Sequence, residues 1–82
     1  MEMNELIKNL ANQFDETDSS EIGAKTVFHE LDEYSSLIAL SIIAMVDEEY
    51  EVVLKGDELR HTATVEDLYN LVNQRRIAKS EK

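Results

Sequence analysis

Two adjacent serines, Ser35 and Ser36, are the residues of this chain best placed for covalent chemistry. An apolar run follows them with the spacing of a helix that buries one face. The run consists of Leu37, Leu40, Ile42, Ile43, Met45, Val46 and Tyr50. We expect a helix over about 36–51 with Ser35 as its N-cap, because a serine hydroxyl accepts a hydrogen bond from a free backbone N–H. Ser36 would then be the first helical residue, and on the motif alone the two serines could equally be only a helix cap.

Other chemistry fits the residues less well. His29, Asp32 and Ser36 are the residue types of a hydrolase triad, but they lie within eight residues and lack a glycine for an oxyanion hole. His29 and His61 are too few and too scattered for a metal site. The absence of cysteine excludes disulfides, thiolate metal sites and a thiol nucleophile. We therefore expect a binding or carrier protein with no catalytic residue and no metal.

Length and charge narrow the class further. A chain of 82 residues suits one domain, 1–82, with a single small core. Its 18 acidic and 8 basic residues give a net charge of −10, which repels nucleic acid and attracts basic protein surfaces, although plain solubility explains the charge equally well. No apolar run approaches the roughly 18 residues of a membrane span, and no signal segment opens the chain. We expect a soluble, cytoplasmic monomer that does not insert into membranes.

The first half of the chain predicts one helix and a long loop. A helical stripe of Leu6, Ile7, Leu10, Ala11 and Phe14 predicts a helix over 3–14. Residues 15–27 are polar and lack a helical period, so they predict a loop with a short turn around 19–22. Ile22 and Phe28 are apolar residues that we expect to anchor this loop to the core.

The second half predicts a short helix and a long one. Residues 57–60 suit a short third helix, after a turn that we expect Gly56 to permit. Thr64 and Asp67 have the spacing of a helix cap, and Arg75 and Arg76 are predicted in the last turn of that helix, before a frayed tail over 77–82. The predicted fold is all-α: a compact four-helix bundle with three long helices and one short third helix.

Several of these features together resemble the acyl carrier protein family along nearly the whole chain. They are Phe28, the triplet Ser35-Ser36-Leu37, the group Asp47-Glu48-Glu49-Tyr50 and the pair Thr64-Val65. The resemblance implies an acyl-carrier-like fold and a 4′-phosphopantetheine arm on Ser36, which a phosphopantetheinyl transferase attaches from coenzyme A. It also implies a fatty-acid, polyketide or specialised lipid pathway. The partners would be ketosynthases, acyltransferases or acyl ligases, which use the acyl thioester on the arm.

The chain departs from the family pattern at two places. Ser35 replaces the usual aspartate, so the cap is kept but the negative charge is lost. Ile38 and Ser41 stand where the family commonly has exposed acidic residues, which suggests a less basic partner surface near the arm. The expected partner contacts are Leu37, Ile38, Ser41, Asp47, Glu48 and Glu49. The expected lining of an acyl chain is Leu40, Ile43, Val46, Leu59 and Leu68, with Ile22, Met45 and Tyr69 as further candidates.

Two other hypotheses stay open. Peptidyl and aryl carriers share the helix order and the modified serine, and differ in the cargo and in the enzyme that loads it. A small acidic helical adaptor without any arm is the third hypothesis, and the altered residue Ser35 motivates it.

Overall fold

The computed structural model describes residues 2–80, and the side chains of residues 2–76. Within that range four α-helices follow one another and no strand occurs: α1 is Met3–Ala11, α2 is Ser36–Tyr50, α3 is Gly56–His61 and α4 is Val65–Ser80. The predicted all-α class and the order of the helices are therefore confirmed. None of the helices in this range has the length and apolar character needed to cross a bilayer.

One apolar core joins all four helices. Its buried members on the helices are Leu6 and Leu10 from α1, Ile42, Met45, Val46 and Tyr50 from α2, Leu59 from α3, and Val65, Leu68 and Val72 from α4. The connecting segments add Phe14, Ile22, Phe28, Val52 and Leu54. Ile22 and Phe28 thus anchor the long loop as predicted. Since burial of such side chains is the main stabilising term in a chain of this size, each helix is held by its apolar face.

The first helix is shorter than the sequence predicts. α1 ends at Ala11, whereas the apolar stripe extends to Phe14. The backbone tightens after the helix: the N–H of Gln13 bonds the carbonyl of Leu10 at 2.9 Å, and that of Phe14 bonds the carbonyl of Ala11 at 3.0 Å. Such i to i−3 bonds commonly finish a helix. They turn Phe14 into the core without a further α-helical turn.

The carboxylate of Glu33 fastens the start of the long loop. Its two oxygens accept hydrogen bonds from the backbone N–H groups of Asp15, Glu16 and Thr17 at 2.9, 2.9 and 2.6 Å. The hydroxyl of Thr17 donates a further bond at 2.7 Å. These bonds, with that of the Thr17 hydroxyl first, hold the pKa of Glu33 below its usual value. The segment that leads into α2 is therefore tied to the segment that leaves α1.

The end of the same loop is fastened to α4. The carbonyl of Thr26 accepts from the N–H of Val65 at 3.0 Å, and that of Ala24 accepts from the N–H of Glu66 at 2.8 Å. Both donors belong to the first turn of α4, whose N–H groups have no partner within the helix. Between the two ends of the loop, a turn of 3₁₀ helix at Ser19–Glu21 confirms the predicted short turn.

The predicted cap of α4 is confirmed, but its predicted end is wrong. The N–H of Thr64 bonds Asp67 Oδ2, and the N–H of Asp67 bonds Thr64 Oγ1, each at 3.2 Å. The helix backbone continues to Ser80, so neither Arg75 nor Arg76 lies in the last turn, and residues 77–80 of the predicted tail are helical. The guanidinium of Arg75 instead pairs with the carboxylate of Glu58 on α3. Residues 81 and 82 of the predicted tail lie outside the described residues.

We expect Glu33→Gln to destabilise the fold, because an amide would turn its NH2 group toward one of the N–H donors. The lowered pKa of Glu33 gives the direction of the pH effect. Its contribution is present above the unfolded pKa of about 4.3 and is lost as the pH falls through the lower folded value. The difference in urea midpoint between wild type and Glu33→Gln should therefore be largest at neutral pH and shrink below about pH 4.

The matched control for this experiment is Asp32→Asn. Asp32 is the neighbouring carboxylate and is exposed. The substitution Asp32→Asn should leave the urea midpoint nearly unchanged. Equal effects of the two variants would mean that general charge, and not the bonds of Glu33, sets the acid sensitivity.

Candidate functional site

The serine pair begins α2 as the sequence predicts. Ser35 has extended backbone angles (φ −153°, ψ 175°), and its hydroxyl accepts from the N–H of Ile38 at 3.3 Å. Its carbonyl accepts the first helical bond, from the N–H of Ala39 at 2.9 Å. Ser36 is the first residue of α2 and is exposed. Its hydroxyl therefore stands in solvent at the positive end of a helix of 15 residues.

The other half of α2 holds this exposed end in place. Ile42 and Val46 are fully buried, and Tyr50 nearly so. The hydroxyl of Tyr50 accepts a hydrogen bond from Asn9 Nδ2 of α1 at 2.8 Å, and the guanidinium of Arg76 lies 5.7 Å from the centre of its ring. Burial raises the pKa of Tyr50. The C-terminal half of α2 is thus fixed between α1 and α4, and its first turn projects from that anchor.

The segment before Ser35 is packed as well. The rings of Phe28, His29 and Tyr34 form a cluster. The ring centroids lie 4.4 Å apart for Phe28 and His29, 6.0 Å for Phe28 and Tyr34, and 5.0 Å for His29 and Tyr34. The N–H of Tyr34 bonds the carbonyl of Leu31 at 2.9 Å. Burial raises the pKa of Tyr34, so its hydroxyl stays protonated at neutral pH. The serine pair is consequently held on both sides by ordered chain.

A groove of about 360 Å³ opens beside Ser36 between α2 and α3. It is lined by Tyr34, Ser36, Ala39, Leu40, Ile43, Gly56 and Arg60. The four α2 residues are spaced i, i+3, i+4 and i+7, so they share one face of the helix. Gly56 and Arg60 lie one turn apart on α3. Ser36 therefore stands at a mostly apolar groove whose lining includes one cationic side chain.

Gly56 contributes to this groove through its missing side chain. The sequence predicts that it permits a turn, but it has no positive φ and is the first residue of α3. That prediction is wrong, since any residue could adopt this backbone. A Cβ atom at Gly56 would meet no atom within 4 Å, so the glycine leaves open space at the groove.

The predicted acyl-chain lining divides into two groups. Leu40 and Ile43 line the groove. Val46, Leu59 and Leu68 are buried in the core and do not line the groove. The further candidates Ile22, Met45 and Tyr69 do not line it either. The groove is also lined by Tyr34, Ala39, Gly56 and Arg60, none of which was predicted there. The helical spacing from Ser36 was the signal that could have found Ala39, whereas the α3 residues need the packed structure.

The predicted exposure of Ile38 is wrong. Ile38 is half-buried and packs against the core, because it lies one turn before the buried Ile42 on the same face. The exposed apolar side chains near Ser36 are Leu37, at 73% exposure, and Leu40, at 63%. The apolar run is therefore not a single buried face. Ser41 is half-buried and lines a separate groove between α1 and α2.

Charge is unevenly distributed along α2. From Ser36 to Val46 the helix carries no charged residue. Asp47, Glu48 and Glu49 follow, and all three are exposed. At a rise of 1.5 Å per residue, the acidic end begins about 15 Å from Leu37. The first turns of α2 therefore present an uncharged surface, and the last turn presents an acidic one.

Within residues 2–76, no group of three or more histidine, aspartate or glutamate side chains could hold a metal ion. Comparison of the chain with models of protein families, with curated proteins and with solved structures finds no match. The geometry alone thus defines the candidate site, which consists of Ser36, the N-cap residue Ser35 and the groove beside them.

We expect Ser35→Ala to lower the free energy of unfolding by about 0.5–1 kcal/mol, because the N–H of Ile38 loses its acceptor. Ser35→Asp keeps an acceptor and adds a negative charge at the helix N-terminus, which contributes about 0.3–1 kcal/mol in the stabilising direction. Urea unfolding at neutral pH measures both changes. If Ser35→Ala is as stable as wild type, the 3.3 Å contact is not a working cap.

Proposed function

We propose that this protein is an acyl carrier whose Ser36 bears a 4′-phosphopantetheine arm. The observation that carries the proposal is the placement of Ser36: an exposed hydroxyl, first in a helix anchored in the core, beside an apolar groove. The family resemblance of the sequence around Ser36 and Thr64 supports the same conclusion. The protein is then a substrate of its partner enzymes and supplies no catalytic group of its own.

The chemistry of attachment fits an exposed and unactivated serine. The Ser36 oxygen would attack the phosphorus of coenzyme A that bears the pantetheine. A new P–O bond forms, the pyrophosphate bond breaks, and adenosine 3′,5′-bisphosphate leaves. The serine proton must go to a base on the transferase, because no hydrogen bond to Ser36 Oγ occurs among the described residues. The new phosphodiester would lie near the free N–H groups of the first turn of α2.

The groove supports a cargo that is apolar in part. Its volume of about 360 Å³ falls at the small end of the range for ligand sites, roughly 300–1,000 Å³. Leu40 and Ile43 offer apolar contact to a chain that folds back from the arm. Peptidyl and aryl carriers would use the same serine, so the groove supports the carrier chemistry more strongly than any one cargo.

The surface of α2 supports a partner with two kinds of contact. Leu37 and Leu40 are exposed beside Ser36 and would fit an apolar recess. Asp47, Glu48 and Glu49 would face a basic patch about 15 Å away. A transferase or acyl-handling enzyme with both features would place its active site over Ser36.

The test of the carrier function is intact mass after incubation with coenzyme A and a broad phosphopantetheinyl transferase. Wild type should gain one phosphopantetheine, and Ser36→Ala should gain none. Ser35→Ala serves as the matched control and should still be modified.

Failure of a folded wild type to gain the arm with any of several transferases would count against the proposal. In that case the adaptor hypothesis would predict that Ser36→Ala retains full function in the cell. Modification of Ser36→Ala would contradict the choice of residue.

The apolar contact is tested with Leu37→Ser. Loss of the leucine from the interface should lower the kcat/KM of modification roughly tenfold, equivalent to about 1.4 kcal/mol. Stability should hardly change, because the side chain is exposed. Val53→Ser is the control, since Val53 is 69% exposed but lies outside α2. If both variants lower kcat/KM equally, or if neither lowers it, Leu37 has no specific role in binding the transferase.

A further inference from the structure

Arg60 is the one charged side chain among the residues that line the groove beside Ser36. It belongs to α3, and it is exposed. A guanidinium carries five N–H donors in a plane, in a fork that matches the oxygens of a phosphate. The groove thus combines apolar walls with a single cationic group.

The side chain of Arg60 makes no ion pair or hydrogen bond among the described residues, and the same holds for Lys8 and Lys55. Lys25 pairs with Glu66, Arg75 pairs with Glu58, and Arg76 lies over the ring of Tyr50. What distinguishes Arg60 is that it lines the groove beside Ser36.

The surroundings of Arg60 across the groove are uncharged. The first turn of α2 contains no acidic residue, and its N-cap is Ser35. The nearest acidic residues of α2 in sequence are Asp47 and those that follow it, beyond the buried half of the helix. The groove lining therefore carries the charge of Arg60 and no carboxylate, although Asp32 and Glu33 precede the serine pair and Asp57 and Glu58 lie on α3. An anion bound at the groove would meet the guanidinium and no acidic lining residue.

We propose that Arg60 binds the phosphodiester that joins the arm to Ser36 and so directs the arm along the groove. This inference rests on the proposed function. The phosphorus would be bonded to Ser36 Oγ itself, so the anion must lie at the mouth of the groove that Arg60 also lines. Arginine binds phosphate oxygens through two N–H groups at once, which fixes direction as well as distance. A thioester chain that leaves the phosphate in that direction would pass Leu40 and Ile43.

The experiment is phosphorus NMR of the protein after enzymatic attachment of the arm. The wild-type resonance should differ in position from that of the same protein unfolded in urea, and added salt should move it toward the unfolded position. In Arg60→Gln this difference should be lost, whereas Arg60→Lys should keep part of it. Lys55→Gln is the matched control, because it removes the same charge beside α3 from a residue that does not line the groove.

A wild-type resonance equal to the unfolded one would overturn the inference, and so would one that Arg60→Gln leaves unchanged. A second experiment loads the phosphopantetheine thiol with a butanoyl or a succinyl group. If only the succinyl carboxylate shifts the Nε–H signal of Arg60, the arginine serves the cargo and the phosphodiester assignment is wrong. Complete absence of a phosphorus signal would show that no arm is attached, which would overturn the proposed function as well.

Discussion

Burial of the C-terminal half of α2 anchors the helix that presents Ser36. Ile42, Val46 and Tyr50 fix that half among the other helices, and the hydrogen bond from Asn9 to Tyr50 sets its contact with α1. A helix is rigid over 15 residues, so the position of its first turn follows from the anchor at its other end. Ser36 can therefore be exposed and still be held in a defined place.

The loop before α2 adds a second restraint through one carboxylate. Glu33 lies two residues before Ser35 and binds the backbone of residues 15–17. Tyr34, which lies between Glu33 and the serine pair in sequence, packs against the rings of Phe28 and His29. An acidic chain thus uses one of its many carboxylates to order the backbone ahead of the site. The carboxylates of α2 itself, Asp47, Glu48 and Glu49, lie near its C-terminal end.

Local signals in the sequence were enough to predict where α2 and α4 begin. Ser35 and the pair Thr64 and Asp67 cap their helices because capping depends on residues within one turn. The faces of α2 were harder to predict. With apolar residues on nearly every side, its run has no polar contrast to reveal that Ile38 faces inward while Leu37 and Leu40 face outward.

Tertiary features were beyond the reach of the sequence. The bonds of Glu33 join residues 16 to 18 positions apart, and no local pattern marks them. The groove likewise depends on how α3 packs against α2, which brings Gly56 and Arg60 beside Ser36. The predicted lining therefore included core residues such as Leu59 and Leu68, because apolar character alone does not distinguish a groove wall from a core.

The proposed carrier function requires that Ser36, and not a neighbouring serine, bears the arm. Trypsin should release residues 26–55 as one peptide, which contains Ser35, Ser36 and Ser41. Fragmentation of that peptide by tandem mass spectrometry, after treatment with coenzyme A and transferase, locates the group on one of the three. We expect a phosphopantetheine on Ser36 alone. An unmodified peptide, or a group on Ser35 or Ser41, would contradict the proposal.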